Sequence, residues 1–226
     1  GPLARRAERI IAISRATESG MPTYLHSRTR IVPNTTTDQQ RLPTYHPLPD
    51  LAHNPLHFLA AGRWTANKGF DVLLDAWAIS APGELAIAGS PPPTGAGLDL
   101  EAQRAANRHR DSIQLMGQVD SISAAINASH VVVMPSSWPE PFGLVALEAM
   151  SAGRPVVATK VGGLQQFVND DVGWLVAPRN PAELADTLAS ITCADIIRKG
   201  ANARREYEAN FSRQTFRQNW RSAVGL

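Results

Sequence analysis

From residue 56 to the C-terminus, short apolar runs alternate so regularly with polar or amphipathic stretches that few architectures can accommodate the chain. LHFLAAG (56–62), ELAIAG (84–89), SIQLMG (112–117), HVVVMP (130–135), RPVVAT (154–159) and VGWLVAP (172–178) read as strands. Helices are expected between and after them: Lys68 to Ile79, Asp99 to Arg108, the ISAAINA segment, Gly143 to Ser151, a short one from Leu164, then 181–191, 194–209 and 212–223. HVVVMP is continuously apolar and β-branched, which suits a strand covered on both faces. The helix before Gly153 ends at a natural left-handed stop, with Pro155 just beyond. Strand, helix, strand repeated this often predicts an α/β fold, a Rossmann-like parallel sheet with helices on both faces. Ligands of such sheets sit at the carboxyl ends of the strands. The loops to inspect are therefore GRWTANKG, GSPPPTGAG, GQVD, PSSWPEPFG and TKVGG.

The first 55 residues follow another pattern. RIIAIS (9–14) and RIVPN (30–34) read as two strands, and Asn34 to Pro55 has the Thr, Pro, Asn and Asp content of a linker. Residues 1–55 are expected to be the tail of a largely absent preceding domain plus a linker, and 56–226 the functional domain. Gly1-Pro2 resembles the remnant of a cleaved tag. The chain, at 226 residues, is long enough for a substantial core. No apolar run approaches the ~20 residues that span a bilayer, and no apolar h-region follows the N-terminal charges. The single Cys193 excludes an intramolecular disulfide and fits a reducing, cytoplasmic setting; it reads as a small packed thiol. A net charge of +2 gives no argument for nucleic acid. The arginine clusters at ARR near the start, RAANRHR and ARR near 204 read as solvated helix faces.

GRWTANKGF places Arg63 and Lys68 where a strand passes into a helix, with Gly62 and Gly69 leaving room for the backbone. Two cations beside a helix N-terminus suit an anion; the plainer reading is a snorkelling Arg63 and a Lys68 that opens an exposed helix. In PSSWPEPFGLVALE, Glu140 precedes a turn, Gly143 allows close backbone approach, and the first free N–H groups of the helix can hold an anion. Glu148 lies one turn beyond Leu144. It is either half-buried among hydrogen-bond donors, such as the vicinal hydroxyls of a sugar, or a solvated surface residue. TKVGGLQQF supplies a Gly-Gly turn, weak evidence by itself. GAGLDL lacks the third glycine of a dinucleotide fingerprint, and neither a P-loop nor a GxSxG is present. His53 and His57 have zinc-pair spacing, but Pro55 between them argues against a helix. Asp170-Asp171 read as a solvated turn. No metal site is expected.

Taken together these loops resemble the retaining GT-B glycosyltransferases of family 4, the glycogen-synthase-like glycosyl transferases of group 1. The resemblance runs from IIAIS and RIVPN through AAGRWTANKGFDVLLDAW and LAIAG to VVVMPSSWPEPFGLVALEAMSAGRPVVATKVGG and GWLVAP. Its most specific part is a Glu, seven residues and a second Glu within PEPFGLVALEAM. It implies the C-terminal, donor-binding domain of a metal-independent hexosyltransferase with no cofactor, whose donor is a UDP-, GDP- or ADP-sugar. Arg63 and Lys68 would hold the diphosphate, with Gly62 beside them. Glu140 would contact the transferred sugar, and the amides of Phe142, Gly143 and Leu144 would lie by the sugar and distal phosphate. Glu148 would grip the ribose, and the base would lie near Gly117, Gln118 and Val119. Arg63, Lys68 and Glu140 are the residues implied for catalysis.

The resemblance further implies a missing N-terminal acceptor-binding domain, so that this chain alone would transfer little or nothing. Work in polysaccharide or glycoconjugate synthesis follows from the family, as does a place in the cytoplasm or at the inner face of the membrane, where the full-length enzyme would associate peripherally. PNTTT replaces the usual Asn-Gly at the hinge, and Gln166 stands where the family has a Glu. Two alternatives carry different chemistry: another GT-B-type enzyme (an epimerase or a phosphorylase), for which acid–base residues or a persuasive pyridoxal-phosphate lysine are lacking, and a non-catalytic nucleotide-sugar-binding domain.

Overall fold

The computed structural model describes residues 7–51, 55–93 and 95–226. The six expected strands form one all-parallel sheet: β3 (Leu56–Ala61), β4 (Gly83–Ala88), β5 (Ile113–Gly117), β6 (Val131–Met134), β7 (Val156–Thr159) and β8 (Gly173–Val176). Their spatial order is β5-β4-β3-β6-β7-β8. The chain thus winds outward from β3 in one direction, returns to the centre, and winds outward from β6 in the other. That is the doubly wound, Rossmann-like order, whose crevice for ligands opens where the winding reverses. Here the reversal lies between β3 and β6. Registered pairing between them covers only Phe58–Val131 and Leu59–Val132, although the strands continue to Ala61 and Met134. Their carboxyl ends are therefore free of each other.

Helices cover both faces. Helix α2 (Phe70–Ile79) packs on α6 (Pro181–Ser190) over one face, where Phe58 meets Trp77 edge to face at 5.6 Å. On the other face, α4 (Ile122–Ala128) and α5 (Leu144–Ser151) close over Val132, Val156 and Ala158. Fully buried side chains such as Trp77, Phe58 and Leu147 each contribute roughly 1.5–3 kcal/mol by leaving water. The short α3 (Leu100–Ala106) follows β4, and α7 (Cys193–Glu206), a π-turn at Tyr207–Phe211 and α8 (Arg213–Val224) end the chain. The segment at Lys68 differs from expectation. Gly69 is left-handed (φ +71°), so Ala66–Lys68 is a separate 3₁₀ turn and α2 starts at Phe70. A Cβ at residue 69 would lie 2.0 Å from the Pro135 carbonyl oxygen, so the β3 and β6 loops touch through a position only glycine can fill.

The N-terminal segment forms its own two-stranded parallel sheet, β1 (Ile10–Ala12) with β2 (Thr29–Ile31), joined through α1 (Arg15–Ser19) and a 3₁₀ turn at Thr23–Arg28. The described part of the expected linker, residues 34–51, is fastened to the large domain. Asp38 pairs with Arg204 (Nη2 to Oδ2, 3.0 Å), Asn127 donates to Thr44 O at 2.7 Å, and the Gln39 N–H donates to Ser151 Oγ at 3.3 Å. Arg154, 1% exposed, satisfies its guanidinium on the carbonyls of His46, Pro47, Asn127, Ser129 and Ala152. A polar, aperiodic segment gives no pattern in sequence when partners elsewhere hold it in place. Two further corrections follow. Arg204 is an inward anchor with a largely buried side chain rather than part of a solvated face. Cys193 is exposed where it opens α7 just after the Thr192 cap, its thiol donating to Leu51 O at 3.7 Å. His53 and the first arginine cluster lie outside the described residues.

Candidate functional site

The loops after β3 and β6 converge at the point of reversal. Ser137 ties them together: its N–H donates to Asn67 O at 3.0 Å and its hydroxyl to Ala66 O at 2.6 Å. This places the Lys68 ammonium against both oxygens of the Glu140 carboxylate, at 2.8 and 2.9 Å, with Ser136 Oγ donating to Oε2 at 3.3 Å. Both side chains are mostly shielded, at 20% and 16% exposure. The Gly162-Gly163 turn, weak evidence in sequence, fixes the backbone of Glu140. The Gly163 N–H donates to Glu140 O at 2.6 Å, and a Cβ at 162 would fall 2.2 Å from that oxygen. Arg63 is exposed and makes no ion pair among the described residues.

Helix α5 starts beside this pair. Its N-cap is Gly143 (φ +100°, ψ 64°), which offers no side chain to the first amides. A Cβ there would lie 2.4 Å from Leu164 Cδ2. The first-turn N–H groups therefore remain available to a ligand. Phe142 fixes the turn from beneath, stacked on Phe167 at 5.1 Å and edge-on to Phe211 at 6.1 Å. A groove of about 270 Å³ runs along this edge, lined by Asn34, Lys68, Glu140, Phe142, Gly143 and Leu144.

Glu148 is half-buried on α5. Its one side-chain donor among the described residues is Thr36 Oγ1, at 3.5 Å, the outer limit of a hydrogen bond. Burial raises its pKa above the ordinary carboxylate value, and the Thr36 hydroxyl opposes that only in part. Such a carboxylate has unused acceptor capacity.

Gly117, Gln118 and Val119 close β5. Gly117 is left-handed (φ +69°) with open space around it, and its carbonyl accepts from the Gly89 N–H at 2.7 Å. Gly62 N–H in turn donates to Ala88 O at 3.0 Å, so the ends of β3, β4 and β5 form one continuous rim. Gln118 is exposed and Val119 half-buried. The structure thus gathers Lys68, Glu140 and residues 142–144 in one groove and sets Glu148 one turn farther along α5. Arg63 and residues 117–119 stand at neighbouring strand ends and share no hydrogen bond with the central pair among the described residues.

Sequence reasoning missed three contributors: Ser136 on Glu140, Thr36 on Glu148, and Ser14, whose hydroxyl donates to Pro141 O at 2.6 Å. Only the last had a local signal, since Ser14 also caps α1. Gln166 accepts from the Arg15 N–H at 3.0 Å, so it serves the contact with the N-terminal segment. A larger cavity, about 410 Å³, lies at the opposite, amino ends of the strands, beside His57, Glu84 and Asp111. Among the described residues no cluster of His, Cys, Asp or Glu could hold a metal ion, and no helix is long and apolar enough to cross a membrane.

Residues 55–193 match the family described as glycosyl transferases group 1. Among individual proteins, the chain is 33% identical over 203 residues to a D-inositol 3-phosphate glycosyltransferase of Mycolicibacterium vanbaalenii, a match covering 75% of this chain and 44% of the relative. It is 34% identical over 157 residues to a phosphatidyl-myo-inositol mannosyltransferase of Mycobacterium leprae, covering 62% of this chain and 39% of that protein. The chain thus spans less than half the length of these relatives. Of solved structures, sucrose-phosphate synthase from Thermosynechococcus elongatus superposes with a TM-score of 0.84 at 28% identity, over 99% of this chain and 60% of the other. Anabaena HepE in complex with UDP-glucose superposes with a TM-score of 0.83 at 24% identity, over 100% of this chain and 66% of the other, a likeness of fold.

Proposed function

The chain belongs to the group 1 glycosyl transferases, and we propose that residues 56–226 form the donor-binding half of a retaining hexosyltransferase that uses a nucleoside diphosphate sugar. The observation that carries this reading is the Lys68–Glu140 pair beside the bare N-terminus of α5, at the reversal point of the sheet. Glycosyl transfer breaks the bond from the anomeric carbon to the diphosphate, and negative charge grows on the departing phosphate. Lys68 and the first amides of α5 present a cation and a helix dipole at one place, with Arg63 at the β3 end of the same loop, and they need not reorganise as that charge appears. Glu140, held by Lys68 and Ser136, is placed to accept hydroxyls of the sugar. Glu148, short of donors, is placed to accept both ribose hydroxyls, and the rim at Gly117–Val119 is where the base would rest. No step in this scheme draws on a metal or cofactor.

The acceptor, and transfer itself, would require the remainder of a longer protein; this chain alone would bind donor and turn it over little or not at all. Calorimetric titration with UDP-, GDP- and ADP-sugars tests the reading. Saturable binding of one of them is expected. No heat with any of them at millimolar concentration would reject the donor-binding role and leave a fold without its ligand.

A further inference from the structure

Residues 34–39 leave β2 and run along α5 as a strap, from its first turn to its last. Asn34 lines the donor groove beside the Gly143 cap, Leu144 and Val145. One turn on, Thr36 Oγ1 reaches Glu148 Oε1 at 3.5 Å. At the end of the helix, Ser151 Oγ donates to Thr37 O at 3.5 Å and accepts from the Gln39 N–H at 3.3 Å. Two residues of extended chain span about 6.6 Å and one helical turn about 5.4 Å, so Asn34 and Thr36 meet successive turns of α5. The C-terminal elements fix the strap in place: Tyr207 OH donates to Thr36 O at 3.1 Å, Arg213 Nη2 to Thr37 Oγ1 at 3.2 Å, and Arg204 pairs with Asp38 at 3.0 Å. Asn34 is half-buried, and its carboxamide has no hydrogen-bond partner among the described residues. Lys68 and Glu140 engage each other, which leaves Asn34 as the uncommitted polar side chain of this groove among the described residues.

We propose that the strap is a wall of the donor site, with Asn34 donating to the distal phosphate of a nucleoside diphosphate sugar and Thr36 positioning Glu148 for the ribose. The proposal rests on the donor-binding reading and extends that site to a segment whose sequence reads as a linker. The two residues stand in the same order along α5 as the groups they would meet, phosphate at the helix N-terminus and ribose one turn on. A carboxamide beside Lys68 and the first amides of α5 adds two N–H donors to a place already suited to an anion. Thr36 occupies one oxygen of Glu148 and leaves the other for ribose hydroxyls. Without the Thr36 hydroxyl, no side-chain donor among the described residues would hold that carboxylate in place.

Calorimetry on the whole chain with UDP, GDP, ADP and their monophosphates tests it. For the base that binds, the parent should hold the diphosphate more tightly than the monophosphate. Asn34→Ala should weaken the diphosphate roughly 10- to 100-fold and the monophosphate much less. Asn34→Asp should weaken the diphosphate further, because a carboxylate there repels the phosphate. A residue that only shaped the groove would shift both nucleotides together and would not rank Asp below Ala. Thr36→Val should lower affinity roughly threefold to tenfold, and Thr36→Ser should restore it. The parent's preference for the ribonucleotide over its 2′-deoxy form should shrink in Thr36→Val. Thermal melts should find all of these variants folded. If the parent binds and Asn34→Ala keeps its diphosphate preference, or Thr36→Val keeps its ribose preference, the proposal is overturned and the donor reading stands. A parent that binds none of the nucleotides would reject the donor reading and the proposal with it.

Discussion

Replacing Glu148 by Gln should make the protein more stable and a poorer binder of nucleotide at once. The carboxylate is half-buried and has one side-chain donor among the described residues, at 3.5 Å, so folding takes a charge partly out of water with little in return. A buried acceptor left unsatisfied costs roughly 1–3 kcal/mol, more if charged. Discounted for the half that remains solvated, the penalty removed by Gln is about 1 kcal/mol, or a melting temperature about 2–4 °C higher for a domain of this size. The pH dependence has a definite sign. Burial raises the folded pKa above the unfolded one, so the folded state holds the proton more tightly, and stability falls as pH climbs from the unfolded pKa through the folded one. The advantage of Gln is therefore full at neutral pH and disappears once pH falls below the ordinary carboxylate range. Binding should move the other way. Gln offers a neutral oxygen where the carboxylate could accept two hydroxyls, and losing one charge-assisted hydrogen bond corresponds to roughly 10- to 100-fold in affinity. Thermal melts at neutral and acidic pH, with calorimetry of the nucleotide, read both. A variant less stable at neutral pH, or one that binds as the parent does, would refute the argument.

Other substitutions separate site from scaffold. Lys68→Ala frees the Glu140 carboxylate and, on the proposed reading, removes the cation that would meet the phosphate; transfer by a longer protein carrying this domain should fall roughly 10²-fold or more, with folding assessed by denaturant melts and destabilised by at most about 3 kcal/mol. Gly143→Ala must move Leu164 and adopt a left-handed backbone, so it should cost about 1–3 kcal/mol in urea denaturation and also weaken donor binding by tilting the first amides of α5. Arg204→Ala leaves Asp38 without its main partner and should cost about 2–4 kcal/mol by chemical denaturation. Double-mutant cycles should locate that loss in the attachment of residues 34–51, with the Lys68–Glu140 contact intact.

Residues differ in how openly the sequence displays them. Strands β6 and β7 are legible because a strand buried on both faces must be continuously apolar, and Val131–Met134 can hardly be read otherwise. The groove residues could be located because chemistry at the strand ends needs glycines and charges in loops, and both Glu140 and Gly143 sit in one. The facts that distance supplies were out of reach. Thr36 meets Glu148 across 112 positions, and Ser14 meets Pro141 across 127; no local pattern marks such partners. Arg154 and Arg204 look like surface arginines because a guanidinium satisfied by distant carbonyls or by Asp38 has no local signature. The break at Gly69 was hidden for another reason: the glycine is required by the Pro135 carbonyl, which belongs to the loop after a different strand, β6.

The central claim is tested most directly by a crystal structure of this chain with a nucleoside diphosphate. The account predicts the diphosphate within hydrogen-bonding reach of Lys68 and the first amides of α5, the ribose hydroxyls on Glu148, and the base against Gly117–Val119. A nucleotide bound instead at the amino ends of the strands, in the cavity beside His57 and Glu84, would contradict it.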